Sequence, residues 1–131
     1  MIDYEVQIFD RVYQYVAPLC AKNKFVSEYV ASPSAFPAGS LVELSNVTVR
    51  SRQSSSITEN YARVMYQFDS YATSKQKCKE VFAAGDEAMI GMGFTRISGN
   101  WMDNADNTKV HRYTARYEAE IDPNGVIYRR P

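Results

Sequence analysis

Between Tyr61 and Tyr71 the side chains alternate, with Ala62, Val64, Tyr66, Phe68 and Ser70 on one side and Arg63, Met65, Gln67 and Asp69 on the other. A period of two with one apolar side predicts a β-strand whose first set faces a core. The period then changes. Cys78, Val81, Phe82, Gly85, Ala88, Met89 and Met92 recur at steps of three and four, while Lys75, Lys79, Asp86 and Glu87 take other faces, which predicts an amphipathic helix. Thr73 stands three residues before Gln76, the spacing of a capping box, and Gly93 supplies the stop. A strand that leads into a helix carrying its apolar stripe back to the same sheet makes residues 61–93 the unit on which the rest should pack.

The flanking segments carry weaker patterns. In residues 1–22, Asp3 can cap a helix with two adjoining apolar rows, Ile2, Val6, Phe9, Tyr13, Val16 and Cys20 beside Ile8, Val12, Tyr15 and Leu19. So broad an apolar surface needs cover on more than one side, and Pro18 should end or bend the helix. Phe25 to Val30 alternates as a short edge strand, which Pro33 and Pro37 prevent from continuing. Leu41 to Val49 reads as a strand with Val42, Leu44 and Val47 facing inward. The polar stretch Arg50 to Asn60 has no period and is expected to be a loop, mobile until a partner orders it.

Toward the carboxy terminus, Phe94 to Met102 reads as a strand and Asp103 to Thr108 as a polar turn; the latter lacks the glycine and terminal glutamate of a calcium loop. From His111 onward Tyr113, Ala115, Tyr117, Ala119 and Ile121 point one way, and Arg112, Thr114, Arg116, Glu118 and Glu120 the other. Asp122-Pro123-Asn124-Gly125 is a turn signal, with Val126 to Arg129 returning as the partner strand of a hairpin over residues 111–130. The whole is an α+β pattern: a small antiparallel or mixed β-sheet packed by an N-terminal helix and a central helix, in a single domain over residues 1–131.

Composition adds three points. Fifteen basic residues balance fifteen acidic ones, so the chain lacks the net positive field of a general nucleic-acid binder. Cys20 and Cys78 lie far apart on apolar stripes, as free thiols would. Ten tyrosines and six phenylalanines suit either strands or a partly wet protein contact. No apolar run is long enough to span a bilayer, and synthesis in a cytoplasm, or assembly into a particle there, is the expected setting.

No catalytic constellation can be assembled. The single histidine, His111, has no cysteine or acid at a ligand-like spacing, and no phosphate-loop or nucleophile-elbow pattern occurs. Neither an enzyme nor a metal or other cofactor is expected. The residues singled out for contact are Arg50, Arg52, Ser54, Ser55 and Ser56 in the polar loop, with Arg63, Arg112 and Arg116 on the charged strand faces. Phe9, Val12, Tyr13 and Val16 mark the first helix as a candidate self-association surface.

The order of parts is itself informative. After the first helix come Phe36-Pro37, a strand pair enclosing a polar loop, a strand ending Asp69-Ser70-Tyr71, a helix closed by Met92-Gly93-Phe94, and a hairpin in which Tyr113 to Tyr117 reads YTARY. Over roughly residues 24–130 this succession resembles the tail-terminator, or tail-completion (head-tail joining), family of long-tailed bacteriophages and prophages. The resemblance implies a hexameric ring in the virion, at the end of the tail tube, that ends tube polymerisation and meets the head connector. Its partners would be the tail tube protein and the connector or stopper, with DNA passing through and no specific binding. It marks 61–71, 78–94 and 112–117 as framework. A head-closure or connector subunit is the near alternative. A nucleic-acid-binding α+β domain, using the five arginines with exposed tyrosines, is the alternative from another class.

Overall fold

The computed structural model describes residues 1–22, 24–28, 35–49, 61–102 and 110–128. In chain order the elements are α1 (Glu5–Val16), a 3-10 turn (Ala17–Leu19), β1 (Phe25–Val26), β2 (Ala38–Thr48), β3 (Ala62–Ala72), α2 (Lys75–Met92), β4 (Thr95–Met102), β5 (His111–Ile121) and β6 (Ile127–Tyr128). The strands form one sheet in the order β1-β2-β3-β5-β4, with β6 on the end of β5; β1 lies parallel to β2 and the other pairs are antiparallel. Both helices lie on one side of it, so the α+β architecture expected from the pattern is the one observed.

The alternation in β3 does what its period predicts. Ala62, Val64, Tyr66, Phe68 and Ser70 are all buried, and opposite them on β5 stand Ile121, Ala119, Tyr117, Ala115 and Tyr113. Onto this surface α2 lays Cys78, Val81, Gly85, Ala88 and Met89. The seat is tight, because a Cβ on Gly85 would stand 2.6 Å from the Phe68 ring. Gly93 ends the helix at φ 112°, with its own amide and that of Phe94 returned to Ile90 and Met89. The start differs from the capping-box expectation: Ser74, not Thr73, is the N-cap, and no side chain caps it.

Two further differences have physical causes. In β2, Leu41 and Glu43 stand opposite Phe68 and Tyr66, hence on the helix side, and a bulge between Glu43 and Ser45 then shifts the register. Val42 lies opposite Gln67, and Leu44 and Val47 are 42% and 53% exposed, the reverse of the inward facing expected of them. Val42 and Leu44 alternate with Leu41 and Glu43 and so face away from the helices, while the extra residue inverts the faces beyond it and sends Val47 the same way. The strand between Phe25 and Val30 shrinks to two residues, its last positions lying outside the described ones.

At the amino end Tyr4, not Asp3, is the N-cap of α1, and Asp3 Oδ1 accepts the Glu5 amide at 3.2 Å from one position further out. The helix gives way at Val16 to the turn that holds Pro18. The hairpin turn is built as its sequence indicates: Asp122 Oδ1 accepts the amides of Asn124 and Val126, and Gly125 adopts φ 83°. Tyr4 rests on this turn and donates its hydroxyl proton to the Pro123 carbonyl at 2.6 Å. A smaller apolar cluster of Ala38, Tyr71 and Val110, with Phe36 against it, closes one end of the face without helices.

Phe68 is fully buried and cannot retreat. Gly85→Ala should therefore destabilise the fold by about 1 to 2 kcal/mol, overpacking outweighing the helix propensity that alanine normally adds. Denaturant melts check this, and a gain in stability would contradict the packing described.

Candidate functional site

The side chains of β3 and β5 that point away from the helices form a polar ladder centred on Asp69. Its carboxylate is completely buried. Oδ1 accepts from Arg112 Nε at 3.3 Å, Arg112 Nη2 at 3.2 Å and the Thr114 hydroxyl; Oδ2 accepts from Gln67 Nε2 at 3.0 Å. Register explains the set, since Thr114 is directly opposite Asp69 and Arg112 is opposite the next residue but one, Tyr71. A carboxylate removed from water persists only if donors replace the water, and here they do. Gln67 continues the ladder by accepting from Arg116 Nε at 3.4 Å, and Arg63 Nε lies 3.4 Å from Glu118 Oε1.

Three of the candidate arginines thus share one face, and each faces a partner side chain of the same sheet. The Arg112 side chain is only 17% exposed. Its charge answers Asp69 before it can answer a phosphate. Arg50, Arg52, Ser54, Ser55 and Ser56 lie outside the described residues. Sequence reasoning placed Asp69 in the outward row without seeing it as the hub. The available signal was an acid set among apolar neighbours in a central strand, across from a strand rich in arginine and threonine.

The expectation for the first helix needs correction at two positions. Val12 and Val16 are fully buried together with Ile8, because α1 turns that stripe onto the sheet and α2. They are not available to another molecule. Phe9 stacks on Phe25 at 5.1 Å between ring centroids, whereas Tyr13 is 44% exposed. The apolar surface that α1 and its turn leave to solvent consists of Val6, Tyr13, Tyr15 and Leu19. The tyrosine surplus is divided: Tyr66, Tyr71 and Tyr117 are core residues.

A second group of charges sits where α1 meets β2. Carboxylate oxygens of Asp3, Glu5 and Glu43 all lie within 4.8 Å of one another. Burial pushes the Glu43 carboxyl up to about 7; its hydrogen bond with Glu5 and the charges of Glu5 and Asp3 add to this, and Asn46 opposes it. The Tyr66 phenol beneath is raised as well, first by burial and then by the Glu43 charge. Crowded acids of this kind share protons when nothing positive stands among them.

Both thiols are free, Cys78 buried and Cys20 partly so. Burial raises the Cys78 thiol and pushes Cys20 up to about 11, which disfavours thiolate at neutral pH. Cys78 contacts Ser70 Oγ at 3.4 Å and backbone carbonyls instead of a base. A hollow of about 310 Å³ beside Ile90, Phe94 and Thr95 contains one acid, Asp86, which accepts from the Tyr117 hydroxyl at 2.7 Å and pairs with Arg96 at 3.2 Å. His111 opens β5 with its ring 6.5 Å from that of Trp101. Among the described helices none is long and apolar enough to cross a membrane.

No protein-family model matches this chain, and no curated protein matches it. Among solved structures, it is similar in fold to a chain of the "Virion of native gene transfer agent (GTA) particle", with a TM-score of 0.61 and 13% sequence identity, over 87% of this chain and 93% of that one. At that identity the likeness is one of fold.

Two outcomes follow from the geometry. Asp69→Ala should cost about 3 kcal/mol or more, because it strands a mostly buried guanidinium; urea melts measure it, and a change under about 1 kcal/mol would show the ladder to be ornamental. For Glu43 the folded state holds its proton to about pH 7, whereas the unfolded chain loses it near the ordinary value of 4.5. Stability is therefore expected to fall as pH rises from about 4.5 to 7 and to level off above. Glu43→Gln should flatten that slope and raise stability at pH 8, as followed by melts across the range.

Proposed function

We propose that this chain is a structural protein of a phage-type virion, which forms a ring at the end of the tail tube, ends tube growth and joins tail to head. The observation that carries the reading is the likeness in fold to a virion chain, which spans nearly the full length of both. The succession of elements described above agrees with it, from the Phe36-Pro37 segment to the YTARY strand. On this reading the chain acts through its surfaces, six copies form the ring, and the tail tube protein and head connector are its partners. The polar segment 50–60, which includes Arg50 and Arg52, is the stretch we assign to partner contact, together with Arg63 and Arg116. DNA passes without a specific grip, since the arginines of the sheet face already answer groups of the sheet.

A head-closure or connector subunit would use the same kind of fold, and particle morphology separates the two. Electron microscopy of particles made without this protein should show abnormally long tails, or heads and tails left unjoined. Tails of normal length joined to filled heads would overturn the proposal. Normal tails beside heads that leak their DNA would favour the head-closure role.

A further inference from the structure

Among the described residues the sheet has two edges without a full strand partner. No described strand pairs with the outer side of β4, and none pairs with the outer side of β2 from Val42 to Val47, since β1 meets β2 only at Gly39 and Ser40. Soluble proteins blunt such edges with charge or cover them. Here each edge also leaves large apolar side chains to solvent: Leu44 and Val47 on β2 are 42% and 53% exposed, and Ile97 and Met102 on β4 are 48% and 44% exposed. Each edge also carries a bulge at the same place in its local sequence, Glu43-Leu44-Ser45 in one and Arg96-Ile97-Ser98 in the other.

The charges complete the match. Glu43 is opposite Tyr66, Tyr66 is opposite Tyr117, and Tyr117 is opposite Arg96. One row of the sheet, on the helix side, therefore begins with an acid and ends with a base. Strand directions alternate from β2 through β3 and β5 to β4, so a second copy displaced along that row brings its β2 antiparallel to β4 of the first. Glu43 then meets Arg96, with the bulged apolar residues flanking them.

We infer that a second copy of this chain docks edge to edge on the first, continuing the sheet from β4 of one subunit to β2 of the next, with Arg96 set against the Glu43 corner. The contact is head to tail, the kind that closes into a ring when a rotation accompanies each step. It brings a guanidinium to the crowded carboxylate corner of Asp3, Glu5 and Glu43. Arg96 can serve it while keeping Asp86, for a guanidinium has five donors and its side chain is 43% exposed. The inference deepens the proposed ring by naming its interface and rests on that reading for its biological meaning.

Charge reversal tests it. Glu43→Arg and Arg96→Glu should each weaken self-association about tenfold or more in sedimentation at graded concentration, and the double variant should recover most of it. Leu44→Lys should abolish association while circular dichroism remains that of the parent, a control that does not depend on the Asp86 pair. Parent protein that stays monomeric at every concentration, single variants that assemble like the parent, or a double variant that fails to recover would each overturn the inference. Closed assemblies indifferent to all these changes would leave the ring standing with a different interface. Edge-dependent assembly together with normal tails in particles lacking the protein would remove the virion role and keep the contact.

Discussion

The Phe68 ring against the bare backbone of Gly85 is the contact on which the rest of the architecture depends. It lets α2 settle closely onto the central strand, and the neighbours of Phe68 carry the fit outward in both directions. On one side Phe25 meets it edge-on, with Phe9 stacked beyond; on the other Phe82 leads to Tyr113 and then to Trp101. A line of rings thus runs beneath the helices from α1 to the β4 edge. Rings prefer tilted or edge contacts to open sandwiches, so each one limits the pose of the next.

The sheet treats its acids in two contrasting ways. Asp69 is taken fully out of water and given donors from three different side chains, so its charge is a fixed part of the framework. Glu43 is set beside two other carboxylates at the seam between α1 and β2, and its proton is retained toward neutrality. The first arrangement is complete within the subunit. The second is a local excess of negative charge at a border, placed where another molecule could meet it. Ionic contacts at such borders govern partner choice and approach more than they govern total affinity.

Much of the fold was legible because long elements with one buried side write their period into the chain. β3, α2, β5 and the Asp122 to Gly125 turn all appear where alternation, helical spacing and turn chemistry put them. What escaped was whatever one residue can change. The bulge after Glu43 sent Val47 outward, opposite Arg63, and no periodicity marks an inserted position. Of two plausible apolar rows on α1, packing selected the stripe through Ile8, Val12 and Val16, a choice made by α2 and the sheet and invisible in the helix itself. The carboxylate corner and the Asp69 hub join residues about forty positions apart, a proximity created by the packing of α1 on β2 in the first and by strand register in the second.

Strand order has one more consequence. β5 is synthesised after β4 yet lies between it and β3, so the emerging polypeptide cannot form the middle of its sheet in the order of translation. Until Ile121 has left the ribosome, β3 has one unsatisfied flank and β4 no neighbour at all. The nascent chain must therefore keep one flank of β3, and then β4, unpaired until β5 has been made. Conditions that slow elongation would lengthen the interval in which two such chains can meet before either has finished.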